Sequence, residues 1–347
     1  MESCKKDIRN ITREELALLF EKNSSPKFRI NQVLEWIWKH YESDFNKMTN
    51  IGANDIDFLN KNFIINKLEI STFTTSVDGT IKFLFEIDKN RVVEGVLIPQ
   101  LNRLTACISS QVGCSLACKF CATGKLKMYR NLTAGEIYDQ VFSINRYAIK
   151  KFKKPITNIV FMGMGEPLLN VKNVLTSINY ITGSYGMGMS AKRITVSTVG
   201  ITKIIRKIAD MNPNFNLAIS LHAANNTTRN EIMEINKSNN LEDLQDALTY
   251  FYKKTAIKPT YEYVLLKGIN DSIEDAKKLI TFCRKIPSKV NLIEYNKVEN
   301  TPYEKTGIKR TKLFLDTLEK NNILVKFRRS RGEDIGAACG QLATQNK

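Results

Sequence analysis

Hydrophobic residues near the start of the chain recur at the spacing of a helix. Within residues 12–45 the apolar positions are Leu16, Leu19, Phe20, Val33, Leu34, Ile37 and Trp38. Steps of three and four residues place such side chains on one face of a helix. The pattern therefore predicts a small helical unit, which also presents Lys27, Arg29 and Lys39.

Residues 68–99 change to short runs rich in β-forming residues. The runs are ISTFTTS, TIKFLFEI and RVVEGVLI, and the turn SVDGT lies between the first two. Short strands separated by tight turns are typical of a β meander. We interpret residues 1–99 as an N-terminal accessory region, first helical and then β-stranded.

Beyond residue 100, β-branched apolar runs alternate with helical stretches. The runs are ITNIVFMG, RITVSTVG, NLAISLHA, TYEYVLL, KVNLIEYN and ILVKFRR. This alternation is typical of βα units around a parallel sheet. Helix starts are visible at Thr133 with Glu136, at Asn170 and at Ser272. Six units predict an α/β core that is a partial (β/α)6 barrel over residues 100–340, followed by a tail at 341–347.

Polar residues stand where several of these predicted strands end. Gly165 and Glu166 follow the first run, Ser197 lies in the second, and later runs end near Ser220, His222 and Asn296. The carboxyl ends of parallel strands meet at one edge, so these groups are candidates for a binding site. Taken singly, each is equally compatible with a turn, a cap or a structural histidine.

Composition and charge restrict the class of protein. A chain of 347 residues with 43% hydrophobic residues is long enough to bury a core, which excludes disorder as its main state. No apolar run approaches the roughly 18 residues of a membrane span, and MESCKKDIRNITREEL contains no apolar signal segment. We therefore expect a cytoplasmic protein without membrane association.

Lys and Arg outnumber Asp and Glu by 52 to 35, giving a net charge of +17. Such a charge indicates a polyanion partner, with RNA or DNA as the first candidate. The alternative is a lysine-rich composition whose surplus charge lies on solvated faces.

Three of the seven cysteines are bunched in the run CSLACKFC, at Cys114, Cys118 and Cys121. This bunching favours metal ligation over structural disulfides. Thiolates bind both iron–sulfur clusters and zinc, and three ligands leave one coordination position open. A structural zinc completed by Cys107 or His222 is the main alternative.

The spacing C-x3-C-x2-C, with Phe120 before the last cysteine, resembles the signature of the radical S-adenosylmethionine superfamily. The resemblance implies a partial barrel and one [4Fe–4S] cluster held by three cysteines. The open iron would chelate S-adenosylmethionine, and one electron would cleave it to a 5′-deoxyadenosyl radical. An external one-electron donor of the flavodoxin or ferredoxin kind is therefore implied.

Longer segments resemble one family within that superfamily. They are CISSQVGCSLACKFCATG, FMGMGEPLLN, RITVSTVGI, SLHAAN, NLIEYN, RRSRGEDIGAACGQLA and, near the N-terminus, FRINQVLEWIW and FNKMTNI. Together they are similar to the bacterial dual-specificity 23S rRNA and tRNA adenine-C2 methyltransferases. This implies methylation of an adenosine in the peptidyl-transferase region of 23S rRNA and of the adenosine 3′ of the anticodon in tRNA. It also implies that the accessory region binds RNA, and we expect a monomer.

The resemblance assigns three catalytic roles. Cys339 matches the cysteine that is methylated by one S-adenosylmethionine before a second provides the radical. Cys107 matches the resolving cysteine, which forms a transient disulfide with Cys339, and Glu94 matches the proton acceptor. Ignoring the family, Cys339 reads as a buried inert thiol, and Glu94 as a solvent-facing carboxylate paired with Arg91. Cys4 and Cys283 match no catalytic position.

Further residues are implied in binding. Those matching S-adenosylmethionine contacts are Gly165, Glu166, Ser197, Ser220, Leu221, His222 and Asn296. Basic and aromatic residues flanking the chemistry are candidates for RNA contacts: Lys125, Lys127, Tyr129, Arg130, Lys326, Arg328, Arg329 and Arg331.

Two other functions stay open. One is the sibling reaction at carbon 8 of the same rRNA adenosine, although Pro167 and the run EGVLIP with Glu94 look more like the carbon-2 group. The other is a non-catalytic RNA-binding protein with a structural metal.

Overall fold

The structure is a computed structural model that describes residues 5–343. The strands are β1 (Lys6–Asp7), β2 (Phe63–Ile64), β3 (Ile70–Thr75), β4 (Ile81–Asp88), β5 (Arg91–Gln100), β6 (Arg103–Cys107), β7 (Gln111–Val112), β8 (Arg130–Asn131), β9 (Asn158–Phe161), β10 (Ile194–Thr198), β11 (Asn216–Ser220), β12 (Thr260–Leu265), β13 (Lys289–Glu294) and β14 (Val325–Arg328). The α-helices are α1 (Arg13–Lys22), α2 (Arg29–Trp38), α3 (Ala53–Asn62), α4 (Ala134–Phe152), α5 (Val171–Thr182), α6 (Thr202–Asp210), α7 (Asn226–Ile232), α8 (Leu241–Thr255), α9 (Ile273–Cys283) and α10 (Ile308–Lys320).

The N-terminal part contains the predicted helical unit. Helices α1 and α2 bury the apolar faces seen in the sequence, with Phe20, Val33 and Trp38 almost inaccessible to solvent. The short strands β1 and β2 pair in parallel, and α3 lies between α2 and β2 in the chain. The sequence pattern did not predict α3.

The predicted meander forms β3, β4 and β5, which pair antiparallel. Alternating residues of β4 are buried, namely Ile81, Phe83 and Phe85, as a one-sided strand requires. Strand β5 then pairs antiparallel with β6, so the meander extends the main sheet. The predicted boundary after residue 99 falls inside β5, and the division into domains stays a prediction.

A ten-stranded mixed sheet forms the centre of the molecule. Its strand order is β14-β13-β12-β11-β10-β9-β6-β5-β4-β3. From β6 to β14 neighbouring strands are parallel, with helices in the connections. The six predicted strands are β9 to β14, and β6 is a seventh that the pattern missed. Side chains of both β5 and β14 border one cavity, so the sheet curves as a partial barrel does. The predicted fold class is confirmed.

No helix in residues 5–343 is long and apolar enough to cross a membrane.

The predicted capping box at the start of α4 is present. The hydroxyl of Thr133 accepts from the Glu136 amide at 3.2 Å, and the Glu136 carboxylate accepts from the Thr133 amide at 2.8 Å. Each bond satisfies a backbone N–H that the helix leaves unpaired.

Replacing Thr133 with alanine removes one of these bonds. We expect the free energy of unfolding to fall by about 1 kcal/mol, measured by urea denaturation. Thr317→Ala is the control, because Thr317 lies inside α10 and caps no helix end. Equal losses in the two variants would contradict this account of the cap.

Candidate active site

The three bunched cysteines share one cavity. Cys114, Cys118 and Cys121 lie on the loop between β7 and β8, and all three line a cavity of about 160 Å³. Burial raises the pKa of the Cys114 thiol to about 11 and also raises that of Cys118, and the neighbouring thiols of the loop raise both further. The thiols therefore lie close enough to interact, as ligands of one centre must.

Backbone hydrogen bonds fix the shape of this cysteine loop. The amide of Cys121 donates to the carbonyl of Cys118, and that of Gly124 donates to Cys121, both at 3.1 Å. A Cβ on Gly124 would lie 2.8 Å from the Cys118 carbonyl oxygen, so the turn requires glycine. In the described residues, no three His, Cys, Asp or Glu side chains converge as around a single metal ion. Ligands of a multi-iron cluster are spread around the cluster, and three thiols that line one cavity fit that arrangement.

Strand ends form another part of the lining of this cavity. It includes five of the seven residues matched to S-adenosylmethionine binding: Gly165, Glu166, Ser197, Ser220 and His222. Gly165 has φ +92°, and a Cβ there would lie 2.4 Å from Gln111. Only glycine allows this close approach beside the cavity.

Glu166 connects two of the strand ends. Its Oε1 accepts from the amide of Leu168 at 2.9 Å, and its Oε2 accepts from the amide of Val199 at 3.0 Å. Burial raises the pKa of this carboxyl to about 7, while a side-chain bond from Thr198 opposes the rise. Each carboxylate oxygen keeps a further lone pair that can accept from a ligand's ammonium group.

His222 is held as a neutral ring. Its backbone has φ +57°, in the left-handed region, and its Nδ1 accepts from the amide of Val264 at 3.0 Å. Burial lowers the pKa of the imidazole to about 3, and the charge of Arg229 lowers it further. The hydrogen bond at Nδ1 therefore places the ring proton on Nε2.

Leu221 and Asn296 lie outside this cavity lining. Leu221 is buried in the core, and its amide donates to the carbonyl of Glu262 at 3.0 Å. Asn296 lines the adjoining cavity, and its Nδ2 donates to the carbonyl of Cys339 at 3.1 Å. The structure thus gives Asn296 a direct contact with the segment that carries Cys339.

The adjoining cavity is larger and basic. It has a volume of about 490 Å³, and its lining includes Cys107, Cys339 and the basic residues Arg103, Lys326, Arg328, Arg329 and Arg331. Cys339 also lines the smaller cavity, as do Met162, Glu262 and Ile293. Cys339 therefore stands at the boundary between the cysteine loop and the basic cavity.

Cys107 is the last residue of β6 and is buried. Burial raises the pKa of its thiol to about 12, the neighbouring Cys339 raises it further, and the positive charge of Arg328 acts in the opposite direction. Both cysteines are free thiols in this structure. The two residues matched to a transient disulfide are thus brought together from positions 232 apart in the chain.

Two contacts hold the segment around Cys339 against the cysteine loop. The amide of Ala122 donates to the carbonyl of Gly340 at 2.7 Å, and the hydroxyl of Thr123 donates to the carbonyl of Leu342. Cys339 itself is accessible to solvent, although Ala337 and Ala338 before it are buried. Cys339 is therefore not a core thiol, although desolvation of its sulfur raises the pKa of the thiol, and its role as the methyl carrier stays a prediction.

The meander turn holds the same segment farther upstream. The hydroxyl of Ser76 donates to Asp334 at 2.6 Å, the amide of Val77 donates to Asp334 at 3.1 Å, and the amide of Gly332 donates to Asp78 at 2.9 Å. No local sequence pattern predicts these contacts, since they join parts of the chain about 250 residues apart.

Glu94 lies on the same face of the sheet as Cys107. Val96 is directly opposite Cys107, and Glu94 precedes Val96 by two residues on the same strand. Glu94 is fully buried, and one carboxylate oxygen lies 3.2 Å from Nζ of Lys82. The lining of the two cavities does not include it. The alternative of a solvent-facing carboxylate paired with Arg91 is wrong, because Arg91 pairs with Asp88 at 2.8 Å.

Four of the candidate RNA contacts are already engaged within the chain. Lys125 donates to the carbonyls of Glu299 and Asn300, and Arg328 pairs with Glu262 at 3.4 Å. The ring of Tyr129 is half exposed, and the guanidinium of Arg91 lies 3.6 Å from its centre. Arg130 pairs with Glu136 at 2.7 Å and so supports the start of α4. Cys283 is buried in the core, as expected for a thiol outside the chemistry, and Cys4 lies outside the described residues.

Comparison with known proteins identifies the family. The model of the radical SAM superfamily matches residues 108–280, and that of the ribosomal RNA large subunit methyltransferase N-terminal domain matches residues 6–65. A probable dual-specificity RNA methyltransferase RlmN of Christiangramia forsetii is 49% identical over 342 residues, covering 99% of this chain and 97% of that protein. The chain belongs to the RlmN family.

RlmN relatives extend well beyond that bacterium. The protein of the same name from Streptococcus agalactiae is 40% identical, covering 97% of this chain and 93% of that one. A crystal structure of a radical SAM methyltransferase from Sphaerobacter thermophilus is 34% identical with a TM-score of 0.89, covering 97% of this chain and 99% of that one. The chain is therefore a radical S-adenosylmethionine RNA methyltransferase, and a [4Fe–4S] cluster and RNA substrates follow from the family. The alternative of a non-catalytic binding protein does not hold.

Proposed function

We propose that this enzyme methylates carbon 2 of adenine in two RNAs. The targets are an adenosine in the peptidyl-transferase region of 23S rRNA and the adenosine 3′ of the anticodon in tRNA. The observation that carries the proposal is the position of Cys339, which borders both the cysteine-loop cavity and the basic cavity that contains Cys107. A methyl group on its sulfur would face both the radical source and the RNA.

We assign Cys114, Cys118 and Cys121 as the three cluster ligands, because their thiols line one cavity. Bound there, the cluster supplies the electron that reductively cleaves S-adenosylmethionine. Gly165 leaves room for the cofactor, and Glu166 offers acceptors to its ammonium group. An electron donor of the flavodoxin or ferredoxin kind would complete the system.

A carrier cysteine is needed because adenine carbon 2 is electron-poor and does not attack a methyl sulfonium directly. Cys339 takes the methyl group from one S-adenosylmethionine, and its S-methyl then loses a hydrogen atom to the radical formed from a second. The resulting methylene group adds to carbon 2. The thiolate of Cys107 attacks the sulfur of Cys339, so that an S–S bond forms as the bond from sulfur to the transferred carbon breaks. That carbon takes up a proton, which completes the methyl group, and the unpaired electron left by the radical addition would return to the one-electron system.

We assign Glu94 as the acceptor of the proton that leaves carbon 2, because it shares a sheet face with Cys107. Lys82 fixes the orientation of the Glu94 carboxylate through their contact at 3.2 Å. The Cys107–Cys339 disulfide must be reduced in each turnover, which agrees with a cytoplasmic location.

The basic cavity is the proposed RNA site. Arg103, Lys326, Arg329 and Arg331 line it, and such side chains bind phosphates and position a strand. The target adenine must leave its stack to expose carbon 2, at a cost of about a few kcal/mol that phosphate contacts offset.

Mass spectrometry of nucleosides tests the position and the substrates. The reconstituted enzyme is given 23S rRNA fragments and tRNA in separate reactions, and we expect 2-methyladenosine in both. Cys118→Ala, which removes one proposed cluster ligand, is the control and should give no product. If 8-methyladenosine appeared without 2-methyladenosine, the enzyme would catalyse the sibling reaction at carbon 8 and the proposal would be wrong.

A further inference from the structure

Arg229 is a fully buried guanidinium on α7 that none of the steps above uses. Its hydrogen bonds run to neutral oxygens: the carbonyls of Val199 at 2.7 Å, Leu221 at 3.1 Å, Asn239 at 3.3 Å and Ser220 at 3.4 Å, and Oδ1 of Asn236 at 2.6 Å. These bonds satisfy the polarity of the group but leave its charge uncompensated.

Among residues 5–343, the ion pairs include no carboxylate partner for Arg229. A buried charge without an opposite charge is costly, so buried charges in proteins are usually paired or lie near metal centres. Burial lowers the pKa of Arg229 only to about 10, so the group stays positive at neutral pH.

The cysteine loop is a source of negative charge beside α7, because its thiols become thiolates when they bind a metal. Helix α7 contacts the loop directly, because the carbonyl of Ile232 accepts from the amide of Lys119 at 3.1 Å. Met233, which follows α7, lines the same cavity as the three thiols. Arg229 and Cys118 also influence each other electrostatically across this contact.

We propose that Arg229 is the counter-charge of the thiolate-ligated cluster and favours its reduced state. The proposal rests on the assignment of Cys114, Cys118 and Cys121 as ligands. Three thiolates give the centre a net negative charge that increases on reduction, and a fixed positive charge in a low-dielectric interior stabilises the more negative state. Arg229 touches no reacting atom, so it acts by setting the potential and not as a catalytic residue.

A purely structural role is the competing explanation. Arg229 binds carbonyls at the ends of β10 and β11 and thus connects two strands that form the cofactor cavity. A clamp of this kind depends on the guanidinium geometry, whereas a counter-charge depends only on the positive charge. Variants that separate charge from geometry therefore distinguish the two roles.

The test is a redox titration of the reconstituted cluster, followed by electron paramagnetic resonance, in wild type, Arg229→Gln, Arg229→Lys and Asn236→Ala. In Arg229→Gln we expect the ratio of reduced to oxidised cluster at a fixed potential to fall about tenfold, equivalent to about 59 mV for one electron. Arg229→Lys keeps the positive charge at position 229. Asn236→Ala removes a hydrogen-bond partner of Arg229 but leaves the guanidinium and its charge in place. Both should titrate like wild type.

The proposal is overturned if Arg229→Gln titrates like wild type, or if the lysine and Asn236 variants shift as far as Arg229→Gln. If Arg229→Gln binds no iron, the iron content of Arg229→Lys distinguishes the two roles. An iron content equal to that of wild type supports the counter-charge, and a loss of iron shows a structural clamp. A wild-type chain that bound no cluster would instead remove the proposed ligand assignment.

Discussion

Replacing Cys339 with alanine is expected to lower the rate of methylation of both RNA classes by a factor on the order of 1,000 or more. The variant has no sulfur to carry the methyl group between the two cavities that Cys339 joins. Product formation is measured by mass spectrometry of nucleosides after reconstitution with iron and sulfide.

Cys283→Ala is the matched control for this result. Cys283 is a thiol buried in the core away from both cavities, so its removal should preserve turnover. Iron content should equal that of wild type in both variants. Turnover by Cys339→Ala at a rate near that of wild type would show that the methyl group reaches RNA by another route.

The second large effect is expected at Cys107. Replacing Cys107 with alanine should trap a covalent protein–RNA adduct, because no thiolate is left to attack the sulfur of Cys339. Product should stay below one equivalent per enzyme, and a slowly migrating species containing both protein and RNA should accumulate on a denaturing gel.

The double variant with Cys107→Ala and Cys339→Ala serves as the control for that adduct. Without the carrier sulfur no covalent bond to RNA can form, so the slow species should be absent. Multiple turnovers by the Cys107→Ala single variant would remove Cys107 from the chemistry.

Local sequence patterns predicted the fold well where neighbouring residues determine the structure. The capping box at Thr133 and the helix start at Ser272 were readable because a cap involves residues only three positions apart, and the structure shows a capping box at both. The six strands β9 to β14 were readable from their apolar runs. Strand β6 and helix α3 were missed, since β6 has the sequence RLTAC with Thr105 as its one β-branched residue, and the polar sequence of α3 buries only part of one face.

The candidate site was predictable as a set of residue types but not as an arrangement. The cysteine spacing identified the loop, because three ligands from one short segment need no distant partner. Long-range contacts gave no such signal: the bonds of Asp334 to Ser76 and of Asn296 to Cys339 join distant segments. Arg229 in the polar run NNTTRNEI resembles an exposed helix residue, yet it is fully buried.

The passage of the methyl group through Cys339 as a methylene group is the central claim, and isotope labelling tests it most directly. The enzyme is supplied with S-adenosylmethionine whose methyl group carries three deuterium atoms, and the methyl group of the RNA product is analysed by mass spectrometry. If the S-methyl of Cys339 loses one deuterium before carbon–carbon bond formation, the product methyl contains two deuterium atoms and one hydrogen. Transfer of the methyl group with all three deuterium atoms intact would contradict the account.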